Sequence, residues 1–342
     1  MKIAVIGAGA IGSVLAGYLT KAGEDVRLIC RPEQLNALKE RPLVINGVRG
    51  KISVKVNAVS TLQEKVSLII LGVKTQDIYQ ALKENQYFVK DRLFLSTQNG
   101  VQADHILQTF IKREDIMSSI IMFGATYLKP GEVVHNFEGD IIIGRPFIPN
   151  DVRLNTIARV LKPAFPVAIS KDIMGMKWLK VFVNFNNCLP ALLGKSMQET
   201  FADEKICSLS IRLLKEGLGV VDKAGIKLVS LPNFPEERIR GLVGMPLEQA
   251  GKILKQTMTS LSKEPLYGSI LQSILRKRKS EVDYINGQIV SLAEETNQKA
   301  PLNEKVVNSV HEVENTGRFF SPEELLRQFN PLRRNPRVLD RG

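Results

Sequence analysis

A glycine-rich run at the start of the chain constrains the fold more than any other feature. Gly7, Gly9 and Gly12 follow a short β-branched segment, 2–6, and precede a helical pattern, 10–21. In this strand–turn–helix setting the G-x-G-x-x-G spacing predicts a dinucleotide-binding turn. The first glycine permits the tight turn, the second lets the backbone approach a pyrophosphate, and the third lets the helix pack on the strand. A glycine-rich turn without a ligand is the alternative.

The end of the second predicted strand indicates which dinucleotide this turn binds. The strand ends Leu28-Ile29-Cys30-Arg31, without the Asp or Glu that accepts a hydrogen bond from the ribose 2′-hydroxyl of NAD. Arg31 can bind a 2′-phosphate through two parallel charge-assisted hydrogen bonds. The pattern therefore favours NADP over NAD, although a surface arginine that begins the next loop would look the same.

Strand and helix patterns alternate over the first half of the chain. This alternation predicts a largely parallel sheet with helices on both faces. A hairpin is predicted from Glu132–His135 to Ile141–Ile143, around a turn at Glu138-Gly139-Asp140, and a short strand is predicted at 167–170. The other predicted strands are 2–6, 25–29, 66–73, 92–96 and 116–122.

Amphipathic helical patterns replace the β-branched runs after about residue 173. The predicted fold is an α/β Rossmann-type dinucleotide-binding domain followed by an all-α domain. The domain boundaries are predicted as 1–170 for the NADP-binding domain, 171–325 for the helical substrate domain and 326–342 for a basic C-terminal tail. The predicted helices are 174–193, 203–224, 246–260, 269–297 and 302–315.

Composition limits the classes of partner. The 342 residues carry a net charge of +12, but no basic run with interleaved aromatic residues predicts nucleic-acid binding, and no apolar stretch reaches the roughly 20 residues of a membrane span. Cys30, Cys188 and Cys207 are widely spaced without a C-x-x-C pair, which favours a reducing cytoplasm. The three histidines lie far apart, so no metal site is expected.

Polar residues follow two of the predicted strands, where ligands of open parallel sheets collect. Lys74 follows the apolar run 68–73, and Asn99 precedes Gly100 after the next strand. Asn99 can hydrogen-bond a ribose or substrate hydroxyl, but an Asn-Gly pair is also a common turn.

A lysine in an apolar helix is the candidate for the chemistry. Lys180 and Asn184 are four residues apart and so share one helical face, which Cys188 extends by a further turn. Lys180 lies among Trp178, Val181 and Phe182, where a lysine is costly unless it is solvated or paired. Taken alone, the segment is more typical of a lysine at a helix edge that extends its amine to the surface.

A later segment identifies a family resemblance. The runs Ser269–Gln272 and Glu281–Gly287, with the glycine turn, Lys74, Asn99 and the Lys180 helix, resemble the ketopantoate reductase (2-dehydropantoate 2-reductase) family up to about residue 315. The resemblance implies that the protein is an NADP-dependent enzyme. Its reaction would be the reduction of 2-dehydropantoate to (R)-pantoate with NADPH, a step in pantothenate and coenzyme A biosynthesis.

The resemblance also implies roles for individual residues. Lys180 would be the general acid, Asn184 would orient the substrate, and Ser269 would bind its carboxylate. Asn99 would contact cofactor and substrate, and Glu281 would hold the cofactor end or the lysine; both are also counted with Lys180 as catalytic. Cys188 occupies a substrate-binding position. The cofactor-binding residues implied are Gly7, Ala8, Gly9, Ala10, Ile11, Gly12, Arg31, Lys74, Asn99, Ala125 and Glu281.

Three positions depart from the family pattern. Cys188 and Gln198 stand where asparagines are usual, and Ser273 stands where an acidic residue is frequent. These changes leave open a reductase of another 2-oxo acid, similar to D-2-hydroxyacid dehydrogenases. A non-catalytic NADPH-binding sensor is the alternative of another class. The expected partners are a small 2-oxo acid and a second copy in a homodimer, without nucleic acid or membrane.

Overall fold

The computed structural model describes residues 1–262 and 264–329. The chain forms two compact units, the first from Met1 to Lys177 and the second from Trp178 onward. The predicted boundary at residue 170 lies slightly before this division. Most of the predicted basic tail, 330–342, lies outside the described residues.

The first unit contains an eight-stranded sheet in the order β12-β11-β8-β7-β6-β1-β2-β5. All pairs are parallel except β11 with β8. The five strands predicted before residue 123 are confirmed as β1, β2, β6, β7 and β8. The strands of the unit are β1 (Lys2–Ile6), β2 (Asp25–Ile29), β3 (Leu43–Gly47), β4 (Ile52–Val54), β5 (Asn57–Val59), β6 (Leu68–Leu71), β7 (Leu93–Ser96), β8 (Ile116–Ile121), β9 (Gly124–Lys129), β10 (Glu132–Phe137), β11 (Ile141–Gly144) and β12 (Val167–Ile169).

Hydrophobic cores cover both faces of this sheet. Along β1, Ile3 and Val5 join one buried cluster while Ala4 and Ile6 join the other, as the two-residue period of a strand requires. The α/β Rossmann-type prediction is therefore confirmed for this unit. Its helices are α1 (Ala10–Lys21), α2 (Pro32–Glu40), α3 (Ile78–Glu84), α4 (Gln86–Val89), α5 (Gln102–Leu107) and α6 (Val152–Leu161).

A second, four-stranded sheet was not predicted, and it shows that the predicted hairpin is wrong. Its order is β4-β3-β10-β9, so β10 pairs with β9 and β3, whereas β11 pairs with β8 and β12 in the large sheet. The hairpin turn lies instead between β9 and β10, where Gly131 has a φ of +79°. The Glu138-Gly139-Asp140 segment carries the chain from one sheet to the other, and the Asp140 carbonyl accepts the N–H of Met122 at 3.0 Å.

The described part of the second unit is helical, which confirms the all-α prediction. Helix α7 begins in the first unit and continues into the second. None of the helices among the described residues is long and apolar enough to cross a membrane. The helices are α7 (Ile173–Asn184), α8 (Cys188–Leu193), α9 (Met197–Phe201), α10 (Glu204–Lys223), α11 (Glu236–Gly244), α12 (Leu247–Thr259), α13 (Ser269–Leu275), α14 (Asn286–Glu295), α15 (Pro301–Thr316) and α16 (Pro322–Phe329).

The prediction of one helix over 269–297 is wrong, because two helices, α13 and α14, share this range. Residues 275–279 are exposed, so the buried face of α13 cannot continue through them. Lys277 takes a φ of +54°, and the N–H of Arg278 returns to the carbonyl of Ser273, which ends the helix in a left-handed cap. The segment between the two helices contains Glu281.

Candidate active site

The three glycines of the glycine turn have two different surroundings. Two of them are in close contact with the backbone, and the other borders open space. Gly7 has a φ of +108°, and a Cβ there would lie 2.6 Å from the Val73 nitrogen. A Cβ on Gly12 would overlap the carbonyl oxygen of Gly7, whereas one on Gly9 would meet only the Gly72 oxygen at 4.0 Å. The first and third glycines therefore serve the packing of the chain on itself, and the second borders open space.

The first helix begins next to that space without a side-chain cap. Gly9 is the N-cap residue of α1, and as a glycine it has no side chain that could accept from the N–H groups of the first turn. Ala8, Ala10 and Ile11 complete the turn, and Ala8 and Ile11 also pack against one of the sheet cores. Uncapped N–H groups and the positive end of the helix dipole suit a phosphate.

Arg31 stands where the second strand ends. It directly precedes α2 in extended backbone conformation, and its side chain is 60% exposed. Its nearest carboxylate is Asp77, at 3.5 Å between Nη2 and Oδ2, a long and exposed ion pair. The guanidinium is therefore accessible to an anion from solvent.

The carboxyl ends of β6 and β7 are tied together by a residue that the sequence did not single out. The Gln98 amide donates to the carbonyls of Leu71 and Val73, at 2.8 Å each. Lys74 directly precedes a 3-10 turn, Thr75–Asp77. Asn99 is half-buried and precedes Gly100, which has a φ of +77°. Both predicted residues thus lie at the same edge of the parallel sheet.

Ala125 belongs to the small sheet. It is on β9 of the small sheet, where it pairs with His135. Its half-buried side chain packs against the core that α1 shares with the large sheet.

Lys180 lies on α7 in an apolar setting. The side chains of Leu179, Val181 and Phe182 are fully buried, and Lys180 itself is half-buried. Among the described residues no carboxylate forms an ion pair with its amine. Burial lowers the pKa of Lys180 from 10.5 to about 8. Asn184, four residues on, is the last residue of α7 and is 8% exposed.

Ser269 begins α13, and Glu281 lies in the segment, 276–285, that joins α13 to α14. Ser269 is the exposed first residue of α13. Glu281 is half-buried and precedes a 3-10 turn, Val282–Tyr284.

A histidine that sequence reasoning set aside anchors the residues beside Glu281. His311 on α15 contacts Asp283 at 2.8 Å through Nε2 and Glu314 at 3.1 Å through Nδ1. Glu314 in turn accepts the N–H of Ser280 at 2.6 Å. Burial acts to lower the pKa of His311, but the hydrogen bonds with Asp283 and Glu314 outweigh it and raise that pKa. No local spacing in the sequence signals this contact.

Two family models match the two halves of the chain. Ketopantoate reductase PanE/ApbA matches residues 3–146, and ketopantoate reductase PanE/ApbA C terminal matches residues 172–314. The 2-dehydropantoate 2-reductase of Pyrococcus abyssi is 33% identical over 307 residues, 89% of this chain and 94% of the relative. The chain belongs to the ketopantoate reductase family.

A further relative and two solved structures are also similar to this chain. The 2-dehydropantoate 2-reductase of Pyrococcus horikoshii is 31% identical over 89% of this chain and 94% of its own length. The crystal structure of a PanE/ApbA family ketopantoate reductase from Ralstonia eutropha is similar with a TM-score of 0.77, at 26% identity, over 92% of this chain and 99% of that one. A ternary structure of D-mandelate dehydrogenase with NADH and anilino(oxo)acetate has a TM-score of 0.79 at 24% identity over 92% of this chain and 99% of that one, which shows a shared fold.

The side chains at the three positions that depart from the ketopantoate reductase pattern all form hydrogen bonds within the second unit. Cys188 is fully buried, its thiol lies 2.9 Å from the carbonyl oxygen of Phe185, and burial raises its pKa to about 12. A buried thiol in this position offers little to a substrate. Ser273 is buried and donates to the carbonyl of Ser269 at 2.9 Å.

Gln198 is a structural clamp. Its amide nitrogen donates to the carbonyls of Ser262 and Glu264, at 3.1 and 2.9 Å, and its oxygen accepts the N–H of Leu266 at 3.0 Å. The side chain thus holds the backbone of the segment that leads into α13.

Proposed function

We propose that this protein reduces 2-dehydropantoate to (R)-pantoate with NADPH. Family membership and two relatives of that name above 30% identity support the reaction. The observation that carries the chemistry is the half-buried Lys180, whose pKa burial lowers to about 8. An amine with this pKa is mostly protonated at neutral pH and still releases its proton readily.

The first unit has the features that a phosphorylated dinucleotide needs. The open space at Gly9 and the uncapped start of α1 fit a pyrophosphate, and the exposed Arg31 fits a 2′-phosphate. Lys74, Asn99 and Ala125 are proposed as further cofactor contacts. NADPH, when bound, supplies the hydride that reduces C2 of the substrate.

Side chains of the second unit are proposed to stabilise the developing negative charge, to donate the proton and to bind the substrate. Negative charge develops on the C2 oxygen of a 2-oxo acid as it is reduced, and the Lys180 ammonium stabilises this charge and then donates a proton to that oxygen. Asn184 is proposed to orient the substrate and the exposed Ser269 hydroxyl to bind its carboxylate. Glu281 is proposed to hold the cofactor end. Cys188 has only a packing role in this proposal because its thiol is fully buried.

We also propose a cytoplasmic location and a homodimer. The three cysteines are buried free thiols, which suits a reducing compartment. In this proposal the exposed apolar side chains of Leu261, Tyr267 and Leu275 lie at the contact between two copies. Sedimentation velocity of the purified protein tests the dimer, and a monomer at assay concentration would contradict it.

The test of function is NADPH oxidation, followed at the reduced-nicotinamide absorbance band, with a panel of 2-oxo acids. We expect the highest kcat/KM with 2-dehydropantoate. A preference for an aromatic or another branched 2-oxo acid would instead indicate a reductase similar to D-2-hydroxyacid dehydrogenases. Tight NADPH binding with no turnover of any 2-oxo acid would indicate a non-catalytic NADPH-binding sensor.

The variant that tests the proposed role of Lys180 in this reaction is Lys180→Ala. We expect it to bind NADPH normally and to lower kcat by at least about 100-fold, the typical contribution of a general acid. Near-normal turnover in this variant would remove the lysine from the mechanism.

A further inference from the structure

Helix α7 carries a second lysine one turn before Lys180, and the charge of this lysine is buried in the first unit. Lys177 is 2% exposed, and its partner Asp104, on α5, is fully buried. The Lys177 amine lies 2.7 Å from Asp104 Oδ2 and 2.9 Å from Ser118 Oγ. The loss of hydration of two charges opposes such a pair, and apolar residues of similar size often give equal stability. Stability alone is therefore a weak explanation for it.

Two strands of the large sheet complete the cluster. The hydroxyls of Ser96 on β7 and Ser118 on β8 both donate to the Asp104 carboxylate, Ser118 at 2.7 Å. Ser96 and Ser118 are also direct partners in the β7–β8 ladder. The cluster thus joins two strands, α5 and α7 through hydrogen bonds that give each oxygen of the carboxylate at least one donor.

The start of α7 is fixed at a second point on the same sheet. A Cβ on Gly144, the last residue of β11, would lie only 2.7 Å from the Cβ of Ile173, the first residue of α7. The absence of a side chain at Gly144 therefore lets the helix begin in close contact with the strand. Ile173 and Lys177 are four residues apart and form consecutive contacts of one helix face.

The face that these two residues define continues along the helix to the proposed acid. At roughly 100° per residue, Ile173, Lys177, Lys180 and Asn184 all lie within a stripe about 60° wide. The first two members of the stripe contact the sheet of the first unit, and the last two are the residues proposed to act on the substrate. A rotation or shift of α7 at Lys177 would be transmitted directly to Lys180, one turn further on.

We propose that the Lys177–Asp104 ion pair positions the general acid. It fixes the rotation and axial position of α7 on the first unit, and thereby the position of the Lys180 amine. Lys177 is a positioning residue in this scheme because it acts through the helix. The inference rests on the proposed function, since it presupposes that Lys180 donates the proton. Misplacement of a reacting group by about 1 Å can cost about 100-fold in rate.

The sharpest test compares two neighbouring serines of β8. Ser118→Ala removes one partner of the Lys177 amine and one donor to Asp104. Ser119→Ala is the matched control, because its hydroxyl is equally buried but donates to the carbonyl of Ser96 and touches neither charge. We expect a comparable fall in Tm for both variants. We expect kcat to fall about tenfold in Ser118→Ala only, with the KM for NADPH unchanged.

A double variant tests the ion pair itself. Lys177→Met with Asp104→Asn removes both charges together and leaves an amide that still accepts from the serines. We expect a folded protein with normal NADPH binding and a kcat lowered by at least about tenfold. Equal kcat values in the two serine variants, or wild-type kcat in a folded double variant, would overturn the inference alone. A wild-type protein that reduces no 2-oxo acid would overturn the proposed function and this inference together.

Discussion

Replacing Lys180 with methionine should make the protein more stable at neutral pH while it removes the proposed proton donor. Burial lowers the pKa of Lys180 from 10.5 to about 8. At about 1.4 kcal/mol for each tenfold change in proton affinity, the folded state disfavours the ammonium form by about 3 kcal/mol. Methionine has a similar unbranched shape and no charge, so it fits the same space without this cost.

The pH dependence of this gain in stability follows from the direction in which the pKa of Lys180 is shifted. The folded protein binds the proton less tightly than the unfolded chain, so the cost is present in full below about pH 8. It decreases between about pH 8 and the unfolded value near 10.5, and it vanishes above that value. Lys180→Met should therefore raise the free energy of unfolding by up to about 3 kcal/mol at neutral pH, roughly 6 °C in Tm, and by little in strong alkali.

Calorimetric unfolding across this pH range measures the effect. The control is Lys171→Met, which changes an exposed lysine just before α7 and should leave the Tm unaltered. A Tm that falls in Lys180→Met at neutral pH would show that the amine is not held at an energetic cost. A gain of the same size at every pH would show that packing, not charge, is responsible.

Three further predictions concern the cofactor site and the segment beside Glu281. Arg31→Ala should raise the KM for NADPH by about tenfold or more and leave that for NADH nearly unchanged, since its guanidinium is proposed to bind the 2′-phosphate. Gly9→Ala should keep a near-normal Tm but bind NADPH weakly, whereas Gly12→Ala should destabilise the first unit because its Cβ overlaps the Gly7 carbonyl. His311→Gln should lose more stability in acid than at alkaline pH, because a raised pKa stabilises the fold fully below about 6.5 and the contribution is lost as the pH rises through the folded value.

Each of these predictions has a contrary outcome. Equal losses of NADPH and NADH affinity would remove Arg31 from phosphate recognition. Normal NADPH binding by Gly9→Ala, measured by fluorescence titration, would show that the backbone does not approach the cofactor there. A stability difference between wild type and His311→Gln that does not change with pH in chemical denaturation would show that the histidine acts only by packing.

The sequence was sufficient where structure follows from local pattern. The glycine offsets at Gly7 and Gly12 identified the turn because the chain there packs against its own backbone. Continuous apolar runs identified the central strands because both faces of β1 and β6 are buried. The small sheet escaped prediction because β3 and β10 are far apart in the chain and pair only through the tertiary fold.

The candidate site could be predicted only where it depends on local spacing in the sequence. Lys180 and Asn184 are linked by helix periodicity, but the direction of the Lys180 pKa depends on whether a carboxylate pairs with it. The structure favours a lowered pKa, since burial is the acting cause. Lys177 was overlooked because its partner Asp104 belongs to a different helix, and a buried ion pair has no signature in a single segment.

The clamp formed by Gln198 limits which substitutions this position can accept. One side chain fastens three backbone groups of the segment before α13. Shortening it by one methylene, to asparagine, would release this stretch of chain. A substitution at position 198 therefore also alters how the approach to Ser269 is held, so the two positions do not change independently.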